Sequence, residues 1–177
     1  MKHPKRPFVP FPKSQRGFTL LEIVIALAIV GGLASGVVMT ITQVFTTNIR
    51  DSLRMTAVQN AQSALYWLSR DAQMAQTVET GGTCGFPLQL EWVEWETNDT
   101  YVVYYALVNE ELQRGVSING GETTERTVAT HIDIAEDKTF CSFSGRVLNV
   151  SLTASASHGS YTASETRKVE ILARPGS

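Results

Sequence analysis

The sequence predicts an α+β fold: a long N-terminal α-helix, apolar in its first half and amphipathic in its second, packed on a C-terminal antiparallel β-sheet. Three observations lead there. Residues Ile23 to Ile41 are a run of 19 without a charge. Apolar residues then recur at steps of three or four as far as Ala75. Beyond Gly82 the apolar period becomes two, between clusters of turn-forming residues.

Residues 1–17 come first and are set aside from the fold. They hold Lys2, Lys5, Arg6, Lys13 and Arg16 with no acid, and Pro4, Pro7, Pro10 and Pro12 restrict their neighbours to extended conformations. The whole chain carries −2, so removal of this +5 leader leaves a side-chain net of −7. By the positive-inside rule the leader stays cytoplasmic and the rest is exported. An acidic body argues against nonspecific nucleic-acid binding.

Residues 18–44 form the transmembrane half of the helix. At about 1.5 Å per residue the uncharged run covers about 28 Å, one hydrocarbon core. Glu22 sits at its lip, and an ionised carboxylate near lipid costs a few kcal/mol even on mild scales. It needs a cationic partner. Gly32 and Gly36 make a small-xxx-small face that allows close helix approach, and the ordinary enrichment of glycine in membrane helices explains them equally well.

Residues 45–80 continue as the amphipathic half. Phe45, Ile49, Leu53, Ala57, Ala61, Leu65, Leu68, Ala72 and Ala75 form one stripe, and Arg50, Asp51, Arg54, Gln59, Gln62 and Gln73 lie off it. Gly81-Gly82 supplies the stop. One helix from Phe18 to about Val78 is expected.

Residues 81–177 form the β-rich domain. Leu88, Leu90 and Trp92 alternate with Gln89 and Glu91, and Tyr101 to Val108 reads as a buried strand. Further strands are expected near Glu111–Ile118, Lys138–Phe143, Arg146–Thr153 and Thr166–Ala173. Asn98-Asp99, Asn119-Gly120-Gly121 and His158-Gly159-Ser160 supply the turns. Cys84 and Cys141, both exported, can form one pair, worth about 3–4 kcal/mol in the chain-entropy model, with two unpaired thiols as the alternative.

The junction Arg16-Gly17-Phe18-Thr19-Leu20-Leu21-Glu22 resembles the processing site of type IV prepilins. The resemblance implies that a membrane peptidase cuts after Gly17 and N-methylates Phe18. It also implies that Glu22 attracts the Phe18 ammonium of a neighbouring subunit during assembly. A plain signal anchor explains the basic leader and the apolar span but has no use for Glu22. A secretory signal peptide would rely on Ala34-Ser35-Gly36, a weak cleavage site.

Further along, Ala64-Leu65-Tyr66-Trp67-Leu68-Ser69-Arg70-Asp71, then Tyr104-Tyr105-Ala106-Leu107 and Leu112-Gln113-Arg114, are similar to the minor pilin and minor pseudopilin branch that includes PulJ- and PilW-type proteins. Many pilins carry a proline midway through the first helix, and here none lies between Phe18 and Val78. Retention of Glu22 departs from the tip-most pseudopilin type.

The family resemblance implies a non-enzymatic subunit of a type IV pilus or type II secretion-like pseudopilus that initiates or caps filament assembly. Its implied partners are the prepilin peptidase/N-methyltransferase, other pilin or pseudopilin subunits, the inner-membrane assembly platform and membrane lipid. No cofactor and no nucleic acid are expected. The protein would be single-pass in the inner membrane before assembly, with its C-terminal domain extracytoplasmic, and would then enter a periplasmic or cell-surface filament (fimbrium).

Catalytic chemistry is not visible. His3, His131 and His158 are the only histidines, and no HExxH, CxxC, P-loop, dinucleotide or GxSxG pattern occurs. Glu91, Glu94 and Glu96 interleave with Trp92 and Trp95, with Glu94 and Glu96 expected on one strand face, where a solvated acidic face outweighs a paired active site. Asp133, Glu136 and Asp137 have calcium-type oxygen ligands, but an ordinary acidic turn explains them better, and no metal site is expected. Two other functions stay open: an adhesin-like binding module using Trp92, Trp95 or Tyr101, and a membrane-tethered exported domain outside any filament.

Overall fold

A computed structural model describes residues 17–174, and the leader up to Arg16 lies outside the described residues. One helix, α1 (Leu20–Met74, 55 residues), precedes two antiparallel sheets. The first is a meander of β1 (Thr77–Gly81), β2 (Gly85–Val93), β3 (Thr100–Val108), β4 (Glu111–Ile118) and β5 (Thr124–Ala129), paired in sequence order. The second holds β6 (Phe140–Ser144), β7 (Val147–His158) and β8 (Tyr161–Leu172). This is the expected α+β arrangement.

The chain divides into two compact units, the first ending at Phe45 and the second beginning at Thr46. Within the first, every described residue is exposed, and the helix is long and apolar enough to cross a membrane. Its hydroxyl side chains do not face that apolar surroundings unsatisfied. Ser35 Oγ donates to the Gly32 carbonyl and Thr40 Oγ1 to the Gly36 carbonyl, each at 2.9 Å.

In the second unit, residues 46–74 of α1 pack on the sheets through a stripe of small side chains. Ala57, Ala61, Ala64, Leu68, Ala72 and the following Ala75 are fully buried. Alanine lets the helix backbone approach the sheets closely. Leucines from the strands fill the space opposite: Leu88, Leu90, Leu112, Leu148 and Leu152 are fully buried, each worth about 1.5–3 kcal/mol of apolar transfer. Both sheets and the helix contribute to this one core. Two polar tethers fix the helix to the end of β5: Ser63 Oγ donates to the Val128 carbonyl at 2.7 Å, and Asn60 Oδ1 accepts the Thr130 N–H at 2.9 Å.

The helix ends four residues earlier than its period suggests. Residues 77–81, expected to continue the helix and meet a glycine stop, instead form β1, in which Val78 pairs with Leu90 and Thr77 with Glu91. The Gln76 N–H already bonds the Glu91 carbonyl at 2.8 Å. Thr77, Val78 and Thr80 are β-branched, so a waiting sheet edge outcompetes another helical turn. Gly82, at φ 60°, then serves the β1–β2 turn and not a helix cap.

Strand β5 was also unexpected, because Thr124-Glu125-Arg126-Thr127 is exposed and shows no apolar alternation. The β3–β4 hairpin turns on Asn109 and Glu110 at φ 50° and 63°. Two consecutive left-handed residues are what a two-residue type I′ turn demands.

Candidate functional site

Thr19 precedes the first helical residue, and its Oγ1 accepts the Glu22 N–H at 3.2 Å. Its carbonyl accepts the N–H groups of Glu22 and Ile23 at 3.1 and 3.2 Å. Thr19 is therefore the N-cap of α1 and Glu22 its third helical residue, the Thr-x-x-Glu spacing of a capping box. That spacing is legible in the sequence. The Glu22 carboxylate lies in the first turn, where the helix macrodipole favours negative charge.

Gly17 and Phe18 are exposed just before this cap. Among the described residues, a Cβ added at Gly17 meets no atom within 4 Å. The same is true of Gly32 and Gly36.

Cys84 and Cys141 are brought together from segments 57 residues apart: the Cys141 N–H donates to the Cys84 carbonyl at 2.8 Å. Both thiols are free in the structure, and Cys141 Sγ donates to the Gly85 carbonyl at 2.9 Å. Burial, and then the proximity of Cys84, push the Cys141 thiol up to about 12, so it is protonated at neutral pH.

Gly85 is what permits this approach. It lies at φ 83°, and a Cβ there would fall 2.0 Å from the Cys141 carbonyl oxygen and 2.7 Å from its sulfur. Gly85→Ala is expected to lower stability by more than about 2 kcal/mol, combining backbone strain with a clash against main chain. Urea unfolding checks it, and a change below about 0.5 kcal/mol would contradict the packing at this point.

The aromatic and acidic candidates disperse. Trp92 is a core residue, 7% exposed and stacked on the half-buried Tyr101 with ring centroids 5.4 Å apart. It is not available to a ligand. Trp95, 80% exposed, lies beyond β2. Glu94 and Glu96 follow β2 in the connection to β3 and share no strand face, because Glu94 N–H and carbonyl are taken by Asp99 and Asn98. Asp133 accepts the Ala135 N–H, Glu136 accepts the Thr83 hydroxyl and Asp137 pairs with Lys138. Among the described residues no group of three or more metal-ligating side chains is gathered.

The polar cluster missed in the sequence is Asp71–Tyr105–Arg114. Asp71 lies on the buried side of α1, 3% exposed. Tyr105 Oη donates to its Oδ2 at 2.5 Å, while Arg114 Nε and Nη2 donate to Oδ2 and Oδ1 at 2.6 and 3.0 Å. Burial, and then the Asp71 charge, raise the Tyr105 hydroxyl well above the ordinary phenol range. An acid within one turn of Leu68 and Ala72 on the apolar stripe was the available clue. Its partners stand 34 and 43 residues away.

A family model described as the prokaryotic N-terminal methylation motif matches residues 12–41. No curated protein matches the chain. The match spans Gly17, Phe18, Glu22, Gly32 and Gly36 and supports a type IV pilin-like protein.

Proposed function

We propose that the protein is a minor pilin or pseudopilin, a structural subunit that helps initiate or cap a type IV pilus or type II secretion-like pseudopilus. The observation that carries this is the methylation-motif match at residues 12–41, laid over a junction whose Gly17, Phe18 and Glu22 each have a role in that chemistry. Residues 1–17 are the leader removed by the prepilin peptidase. Residues 18–44 span the inner membrane, the rest of the helix to Met74 supplies the amphipathic half, and the strands from Thr77 onward belong to the extracytoplasmic domain.

Physically, the scheme converts a costly feature into a useful one. Before assembly Glu22 sits at the edge of an apolar segment, in the first turn of its helix. After cleavage and methylation, a neighbour's Phe18 ammonium offers it a full opposite charge at low dielectric. Gly32 and Gly36, open on the helix surface, allow neighbouring helices to pack closely. The exposed Trp95 is the one observation favouring the second reading, an adhesin-like module on the same filament.

Mass spectrometry of the membrane-extracted protein, with and without the prepilin peptidase, tests the proposal. The expected amino terminus is N-methylated Phe18, formed only when the peptidase is present. Gly17→Val is expected to leave the leader attached, and because the Gly17 surroundings are open, it should not alter the fold. A leader retained in the presence of peptidase, or a terminus near Gly36, would defeat the assignment.

The pairing of Cys84 with Cys141 after export is a second part of the proposal. Their hydrogen-bonded backbones support it. Alkylation under denaturing conditions without reductant is expected to leave both cysteines unmodified in the exported protein. Modification of both would remove the bridge. Denaturation is needed because a free Cys141 thiol, buried and protonated, would also react slowly in the native fold.

A further inference from the structure

We propose that a cleft between α1 and the β4–β5 edge binds side-chain carboxylates of an acidic peptide segment presented by a partner protein. The cleft is about 460 Å³, walled by Trp67, Arg70 and Arg126, with Val116 and Ile118 giving it apolar surface and Glu122 lining it as well. Three guanidinium groups surround the Trp67 ring: Arg126 Cζ lies 3.6 Å from its centroid, Arg114 5.2 Å and Arg70 5.4 Å.

The three cations are not equivalent. Arg114 is neutralised by its bidentate bond to Asp71. Arg70 and Arg126 are exposed and have no ion-pair partner among the described residues. Moreover, Arg126 stands directly opposite Arg114 in the β4–β5 ladder. Asp71 takes up the Arg114 charge, and Trp67 gives the Arg126 guanidinium a cation–π contact but no anion, so its charge is left for another molecule to pair.

What the arrangement does provide is recognition. Stacking against an indole holds a guanidinium flat and presents its N–H fork outward, which suits the two oxygens of a carboxylate and lowers the entropy lost on binding. The Arg126 fork against the indole, the Arg70 guanidinium on the same ring and an adjoining apolar wall accommodate one or two acidic side chains and their methylene stems. The side-chain net of −7 on the body outside the leader, and Glu122 in the cleft, oppose a long polyanion far more than a short acidic segment.

The test uses the full mature chain in detergent and a fluorescein-labelled hexaglutamate peptide, read by anisotropy at low salt. Saturable binding is expected, weakened at least about tenfold by Arg70→Gln combined with Arg126→Gln, because charge-assisted forks are lost from both sides of the cleft. Lys168→Gln, on β8, should leave it unchanged. Glu122→Gln should tighten binding severalfold by removing a like charge, a gain that misfolding cannot mimic. Absence of saturable binding, equal weakening by Lys168→Gln, or no gain from Glu122→Gln would overturn the proposal. An oligothymidylate of equal charge binding as tightly as the peptide would overturn it too, in favour of a nucleic-acid surface.

Discussion

Asp71→Ala is expected to lower the unfolding free energy by about 3–5 kcal/mol, the usual cost of breaking a buried ion pair by removing one partner. The carboxylate is the shared acceptor of three hydrogen bonds, two from Arg114 and one from Tyr105. Without it the Arg114 guanidinium, whose side chain is only 13% exposed, keeps its charge and loses its counter-ion. Tyr105, fully buried, keeps its hydroxyl and loses its acceptor. Tyr105 cannot be rehydrated without opening the helix–sheet contact, and Arg114, at the wall of a cleft, is only partly rehydrated. Tyr105→Phe removes one donor and leaves the ion pair whole, so its cost should be smaller, about 1–2 kcal/mol. Urea unfolding of the mature chain, followed by tryptophan emission, measures both. A loss below about 1 kcal/mol for Asp71→Ala would mean that water reaches the cluster in solution.

Glu22→Ala is expected to leave leader removal at the wild-type level and to reduce incorporation into filaments by at least about tenfold, a difference of about 1.4 kcal/mol or more per subunit. The two effects separate because the carboxylate acts after the cut. Within the chain itself its contribution is modest: a first-turn acid on an exposed helix is worth about 0.3–1 kcal/mol, and Thr19 still caps the helix in the variant. Glu22→Gln is the sharper control, since it keeps the length and polarity of the side chain and discards only the charge. Quantifying processed subunit in sheared filaments against subunit in the membrane gives the ratio. Wild-type incorporation of the glutamine variant would remove the ion pair from the mechanism.

The two predictions concern residues of different legibility. Glu22 stands out in one dimension, as a charge at the lip of an uncharged run. Asp71 does not, since acids are common on helices and its partners come from strands far along the chain. The same division runs through the fold. Alternation in β2 and the turn residues after β3's neighbours were readable because they follow from local geometry. The pattern that ends at Ala75 allows the helix to continue to about Val78, and only β2 lying alongside makes the residues from Thr77 a strand. Strand β5 escaped because an exposed edge needs no apolar pattern. Trp92 and Trp95 look alike in sequence. One fills the core and the other faces solvent because β2 ends between them, at Val93.

By itself, then, the sequence determined the features that depend on near neighbours and on the solvent: a basic leader, a membrane-length apolar segment, the Gly17–Phe18–Glu22 junction, the amphipathic period and the hairpins. Only the tertiary structure decided where the first helix yields to a strand, which tryptophan is exposed, that Asp71, Tyr105 and Arg114 form one buried cluster, and that Arg70 and Arg126 meet around Trp67. Local patterning is enforced residue by residue by backbone geometry and water. Long-range charge pairing is enforced by burial, which brings together groups 34 to 43 residues apart and penalises any left unpaired.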